Sequence, residues 1–246
     1  PIFAALLHQS ITPIPHFSNL PMPLYLVSTP IGNREDITLR ALRILKEADL
    51  IAAEDTRVTG RLLNHFEFSR PMISYFEQNE RKRVPQLLEH LREGESVALV
   101  TNAGTPGVSD PGFPLVRSCI EEEIPVIPIP GPSAHTAALV ASGLPVHEFW
   151  FRGFPPKKKG KRDRFLVEST ECSATLIFYE SPYRIRALVE ACLATYGDRR
   201  CAVCRELTKK FEEIQRGKLS EVLLCLDEKK QRGEFVLLVE GKTETD

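Results

Sequence analysis

Residues 97–112, VALV followed by TNAGTPGVSDPG, read as a strand running into a ligand-binding loop. Val97 to Val100 is a short continuous apolar run, the pattern of a parallel strand buried on both faces. The next stretch holds Gly104, Gly107 and Gly112 together with Pro106 and Pro111. Glycine admits positive φ and lets a ligand approach backbone closely, while proline stiffens the rest of the loop. Open α/β sheets bind ligands outside the carboxyl ends of their strands, where this loop sits. A plain connection between elements has the same composition. Neither GxxxxGK[ST] nor GxGxxG occurs here, so this is not a P-loop or a dinucleotide fingerprint.

Outward from this loop, apolar runs alternate with helical periodicity. Strands are predicted at 24–28, 50–53, 72–75, 125–130, 149–152, 175–179, 200–204 and 235–240. Helices are predicted from a cap at Asp36 or Thr38 to Ala48, then at 61–66, 81–93, 114–122, 134–142, about 162–170, 184–196 and 218–226. Up to residue 130 the alternation predicts an α/β fold with a mainly parallel sheet and helices on both its faces. Ile129-Pro-Gly-Pro-Ser133 marks a boundary, dividing the chain into an N-terminal α/β domain (22–130) and a C-terminal α/β domain (131–246). Residues 1–21 lack the basic start of a signal peptide. They are expected to be a non-native extension, with Met22 as the natural start, or a poorly structured arm.

The motifs come in a telling order. YLVSTPIGNREDITLRAL (25–42) and IAAEDTR (51–57) precede the loop. IPGPSAHTAALVASGLP (129–145), FRGFPPKKK (151–159), IFYESPYRI (177–185), RELTKKFEEIQRGKL (205–219) and GEFVLLVEG (233–241) follow it. In this order the chain resembles the tetrapyrrole-methylase-like, class III S-adenosylmethionine methyltransferases. Within them it is similar to the bacterial family of 16S rRNA cytidine-2′-O-methyltransferases, over about residues 24 to 241. The pattern differs at three places: Asn102 stands where the family has aspartate, Val58 and Tyr183 where it has histidine. Asn102 keeps hydrogen bonding but lacks the charge. Many members also carry a short helical C-terminal extension, whereas this chain stops soon after Gly241.

The resemblance implies two αβα domains with S-adenosylmethionine in the cleft between them. Carried over residue by residue, its contacts are Pro30, Thr101, Asn102, Ala103 and Gly104 in the first domain. Ser133 and Ala134 at a helix start, Tyr179, Leu207, Glu234 and Phe235 complete them. The implied substrate is a cytidine ribose of 16S rRNA, free or in the small ribosomal subunit, and the implied assembly is a homodimer. A tetrapyrrole C-methyltransferase, or a protein that binds cofactor or RNA without turnover, is the alternative. VSTPIGN (27–33), in place of a glycine-rich first loop, counts against the tetrapyrrole substrate.

Methyl transfer from an activated donor requires positioning rather than a metal or covalent nucleophile. A ribose hydroxyl needs a proton acceptor. Glu54, Asp55, Asp110 and Glu206 lie beside motif loops and are the candidates; charges at strand ends are otherwise simply solvated. Lys157, Lys158, Lys159, Lys161 and Arg162 form the densest basic cluster. In a chain of net charge −1 that concentration favours a local RNA contact over a general nucleic-acid coat. Arg34, Arg57, Arg184 and Lys209 are further candidates to hold phosphate.

A hydrophobic content of 42% and a charged content of 26% fit a soluble globular chain, and no apolar run reaches membrane-span length. Five of the six cysteines lie in or beside apolar stretches, which suits a reducing cytoplasm. Cys201-Ala-Val-Cys204 has no second ligand pair and is expected to be two strand residues.

Overall fold

The computed structural model describes residues 22–226 and 232–243; the expectation for residues 1–21 falls outside them. The first sheet takes β1 (Leu24–Val27), β2 (Leu50–Ala53), β3 (Met72–Ser74), β4 (Val97–Val100) and β5 (Val126–Ile129) in the order β3-β2-β4-β1-β5. All four pairings are parallel, and β2 and β4 are buried at every residue. Their runs are apolar without alternation because both faces are covered. On one face lie α1 (Leu39–Glu47) and α2 (Thr56–His65), packed through Ile44, Leu45 and Leu63. On the other lie α3 (Glu80–Arg92) and α4 (Phe113–Glu121), packed through Leu87, Leu91 and Leu115.

Local chemistry sets where these helices start. The Thr38 hydroxyl accepts from the Ala41 amide at 3.1 Å and starts α1. The Asp55 carboxylate accepts from the Arg57 amide at 2.9 Å, so α2 begins at Thr56, earlier than periodicity predicts. Gly112, at φ 149°, turns the chain into α4, and its amide donates to Glu80 Oε1 at 2.8 Å.

The second sheet takes β6 (Phe149–Gly153), β7 (Thr175–Glu180), β8 (Arg200–Arg205), β9 (Glu213–Lys218) and β10 (Phe235–Val239) in the order β6-β7-β10-β8-β9. Only β6 and β7 run parallel; the other pairings are antiparallel. One face carries α6 (Lys159–Val167), α7 (Ile185–Tyr196) and α8 (Leu219–Cys225). The other carries α5 (Ala134–Ser142) together with Ile31 and Ala103, which come from loops of the first sheet. Those loops therefore belong to the core of the second unit.

Two sequence expectations are corrected here. β9 was not anticipated: EIQRGK has no apolar alternation, because it is an edge strand whose ladder bonds come from β8. α6 starts at Lys159, about three residues earlier than predicted, so Lys159 and Lys161 also stand on the helix. Cys201 and Cys204 do lie on one strand, β8, but face opposite cores. Burial pushes both thiols up to about 12, and the strand holds them apart as inert apolar residues.

Candidate active site

β4 has β1 on one side and β2 on the other. The helices that follow β1 and β2 cross to one face, while α4 crosses to the opposite face. The loops diverge at this point, leaving a crevice outside the carboxyl end of β4. Loop 101–112 rises into it. Thr29 and Gly104 exchange amide–carbonyl bonds at 2.9 and 3.0 Å, and Ser28 and Thr105 share a 2.9 Å hydroxyl contact. Gly104 and Gly107 both hold φ above 80°, which a side chain would strain. The Asn102 amide donates to Glu54 Oε2 at 3.0 Å, tying the loop tip to the end of β2.

A cleft of about 450 Å³ opens between this loop and the second sheet. Its first wall is Ile31, Glu54 and Asn102 to Thr105, with Asp110 beyond. Ser133 and Ala134 close one end, and Phe154, Tyr179 and Glu180 another. Leu207 and Glu234 to Val236 form the far side. Sequence reasoning named most of these residues. Ile31, Thr105, Phe154 and Val236 were missed as lining, although all four lie inside quoted motifs.

Tyr179 is held by its surroundings. The His135 amide donates to its hydroxyl at 3.1 Å, and Phe151 and Phe154 meet its ring edge-on at 4.9 and 5.5 Å. Burial raises its phenol to about 12. His135 stacks on Phe151 at 4.8 Å and shares a 2.9 Å bond with Ser133. Burial lowers its imidazole, so it sits neutral as a packing group at the start of α5.

The four candidate carboxylates separate. Asp55 caps α2 and chelates Arg57 at 3.0 and 2.7 Å, which holds it well below the carboxylate range and away from the cleft lining. Glu206 accepts from Lys209 at 2.9 Å and from the Glu234 amide at 3.1 Å. Burial raises its carboxyl, but those two partners outweigh it and leave the group low. Glu54 and Asp110 line the cleft together. Burial, reinforced by the charge of Glu54 and partly offset by Thr101, raises Asp110 to about 7.

The candidate cations separate as well. Arg57 is engaged by Asp55, and Arg184 by buried Glu180 at 2.5 Å. Lys209 bridges Glu206 and Glu234, so that turn carries no net positive charge. Lys157, Lys158, Lys159 and Lys161 are exposed, Lys159 reaching Asp163 at 3.2 Å; Arg162 is half-buried. Pro30 and Thr101 line not the main cleft but a second cavity of about 310 Å³, with Arg34 and Lys209. The sequence had not marked Val58, Arg61 and Leu62 as site residues; they line the same cavity from one face of α2.

Gly32 joins the two halves. A Cβ there would lie 2.5 Å from Lys209 Cγ, 2.7 Å from Thr208 Oγ1 and 3.0 Å from the Leu207 carbonyl. Gly32→Ala is expected to force this contact open and lower stability by about 1–3 kcal/mol. Thermal denaturation checks this, and an unchanged midpoint would refute the close approach.

The family model for Tetrapyrrole (Corrin/Porphyrin) Methylases matches residues 23–223. Ribosomal RNA small subunit methyltransferase I of Halalkalibacterium halodurans is 52% identical over 221 residues, 90% of this chain and 76% of that protein. The protein of the same name from Thermotoga maritima is 45% identical over 219 residues, 89% of this chain and 98% of its own. Among solved structures, a cobalt precorrin-4 methyltransferase aligns with a TM-score of 0.65 at 18% identity, covering 89% of this chain and 95% of its own. Uroporphyrin-III C-methyltransferase from Thermus thermophilus, complexed with S-adenosylhomocysteine, aligns at 0.62 and 23% identity, covering 88% and 96%. At these identities the structural likeness is one of fold.

Proposed function

The chain belongs to the tetrapyrrole (corrin/porphyrin) methylase family, and from that premise we propose that it methylates small-subunit ribosomal RNA at a cytidine ribose 2′-hydroxyl. The observation that carries the substrate is the identity to relatives named for small-subunit rRNA, about twice that to the tetrapyrrole enzymes. The main cleft fits S-adenosylmethionine. Its volume lies within the range of small-ligand pockets, and its lining combines apolar side chains with convergent polar ones. Asn102 and Ser133 offer hydrogen-bonding side chains, Ala134, Leu207 and Phe235 an apolar surface, and Glu54 and Asp110 negative charge. When bound, the cofactor supplies an electrophilic methyl group on a positively charged sulfur.

This chain's residues then position and take a proton. The tied loop 102–105 and the locked Tyr179 hold their places without reorganisation. Glu54, engaged by the Asn102 amide, serves as a positioning group. Asp110 is the carboxylate selected as base, because it faces the cleft and titrates near working pH. The exposed lysines of 157–161 supply a salt-dependent attraction for the RNA backbone. The reading includes a cytoplasmic homodimer acting on rRNA or the assembled subunit. Exposed Val140, Val146, Phe149 and Trp150, on or near α5 and the edge strand β6, support self-association.

The test uses tritiated S-adenosylmethionine and small subunits from a strain lacking this methylation, with nuclease digestion to place the label. Label on a cytidine 2′-oxygen is expected. Demonstrated cofactor binding without label in RNA would overturn the proposal.

A further inference from the structure

The second cavity is separate from the cleft yet shares a wall with it. Ile31, Asn102, Ala103 and Glu234 line both. The two spaces therefore adjoin at the tip of loop 101–104, where a donor in one and an acceptor in the other would have to be brought into contact for a group to pass between them. At about 310 Å³ the second space suits one nucleotide unit better than a four-ring macrocycle.

Its charge is unusual among the basic sites described above. Arg34 and Arg61 are exposed, and neither side chain has an ion-pair or hydrogen-bond partner among the described residues. Lys209 and Glu234, also on the lining, bond to each other at 2.8 Å and cancel. The two guanidinium groups are left as the unbalanced charge, and their fork of donors matches phosphate oxygens. Beside Arg61 on the same face of α2, Val58 and Leu62 present an apolar wall.

Resting on the rRNA reading, we propose that this cavity is the acceptor-nucleotide subsite, with Arg34 and Arg61 on a phosphate flanking the target and Val58 and Leu62 against its base. Arg61, Val58 and Leu62 join the site through α2, whose start is set by the Asp55 cap. The target ribose then lies over Asn102 and Ala103, beside the cleft that holds the methyl donor.

Two variants test this with small subunits as substrate. The Arg34→Ala/Arg61→Ala double variant removes exposed, unpartnered side chains and is expected to fold. Its KM for subunits should rise at least about 10-fold, with a smaller change in kcat. The slope of log affinity against log salt should shrink by about 0.7–0.9, the share of the one lost phosphate contact. Val58→Trp fills the cavity and should lower kcat at least about 100-fold. Calorimetric affinity for S-adenosylmethionine should stay at the wild-type value in both. Wild-type transfer to RNA with a near-normal KM and salt slope in the double variant would overturn the subsite and leave the rRNA reaction standing. So would near-normal kcat in a folded Val58→Trp. Failure of the wild type to label RNA would remove the rRNA reading, and the subsite with it.

Discussion

Asp110→Asn is expected to lower methyl transfer about 100-fold and to abolish its rise between pH 6 and pH 8. The Asp110 carboxyl lines the cleft, and burial with the Glu54 charge raises it to about 7. A proton acceptor works only when ionised, so wild-type kcat/KM should climb as pH passes through 7 and then level. That profile reports the free enzyme; a bound cationic cofactor favours the ionised carboxylate, so the midpoint in kcat should fall below 7. The amide keeps the shape and cannot ionise. A wild-type profile flat across this window, or one retained by the Asn variant, would remove Asp110 as the base. Cofactor affinity gives a second readout. If Asp110 acts only as a counter-charge, affinity for S-adenosylmethionine would carry the pH dependence and kcat would not.

The same shift has a consequence for stability, with the opposite sign. The folded state holds the Asp110 proton up to about 7, whereas the unfolded chain releases it near the ordinary value of 3.8. Between those limits the native state binds more protons, so this group's contribution falls as pH rises from about 4 to about 7. Discounted for the solvent that reaches this half-buried carboxyl, the loss is about 2 kcal/mol. Asp110→Asn should therefore be more stable than the wild type above pH 7 while being far less active. Strain or charge held for function is lost in such a substitution, and stability rises.

Arg184→Ala is expected to destabilise the fold by about 3 kcal/mol and to leave the salt dependence of RNA binding unchanged. Glu180 is 4% exposed, and Arg184 lies against it at 2.5 Å, with a further bond to Ser181 at 3.2 Å. Removing the arginine leaves a buried carboxylate beside the cleft without its counter-charge, which typically costs 3–5 kcal/mol. The lower end applies because Arg184 itself is partly exposed. For a chain of this size the thermal midpoint should fall roughly 6–12 °C. Glu180→Gln combined with Arg184→Ala should recover much of the loss, since no buried charge remains. A shallower salt slope for Arg184→Ala at unchanged stability would return Arg184 to the phosphate-binding set. Exposed Lys158 and Lys161 provide the contrast: their removal should weaken RNA binding without shifting the midpoint.

Tertiary partners explain why the local pattern was a poor guide to charged roles. Asp55 and Glu54 are neighbours after the same strand, yet one caps a helix and the other lines the cleft. Arg57 and Arg61 lie on the same helix, but of the two only Arg57 pairs with a carboxylate among the described residues. Lys209 looked like a phosphate contact, and two carboxylates neutralise it. In each case the neighbouring groups, local or from another element, separate residues that the motif placed side by side.

Local patterns in the sequence were enough to determine the parallel first sheet, the glycine-hinged loop after β4 and the family order of motifs. Buried strands declare themselves as unbroken apolar runs, and turns as glycine and proline, because those constraints act within a few residues. Only the tertiary structure decided that β9 closes the second sheet as a charged edge. It also brought Glu54 and Asp110 into one cleft and left Arg34 and Arg61 facing a second one. Edge pairing, burial of a carboxylate and competition among ion pairs all depend on groups far apart along the chain, and one-dimensional periodicity carries no record of them.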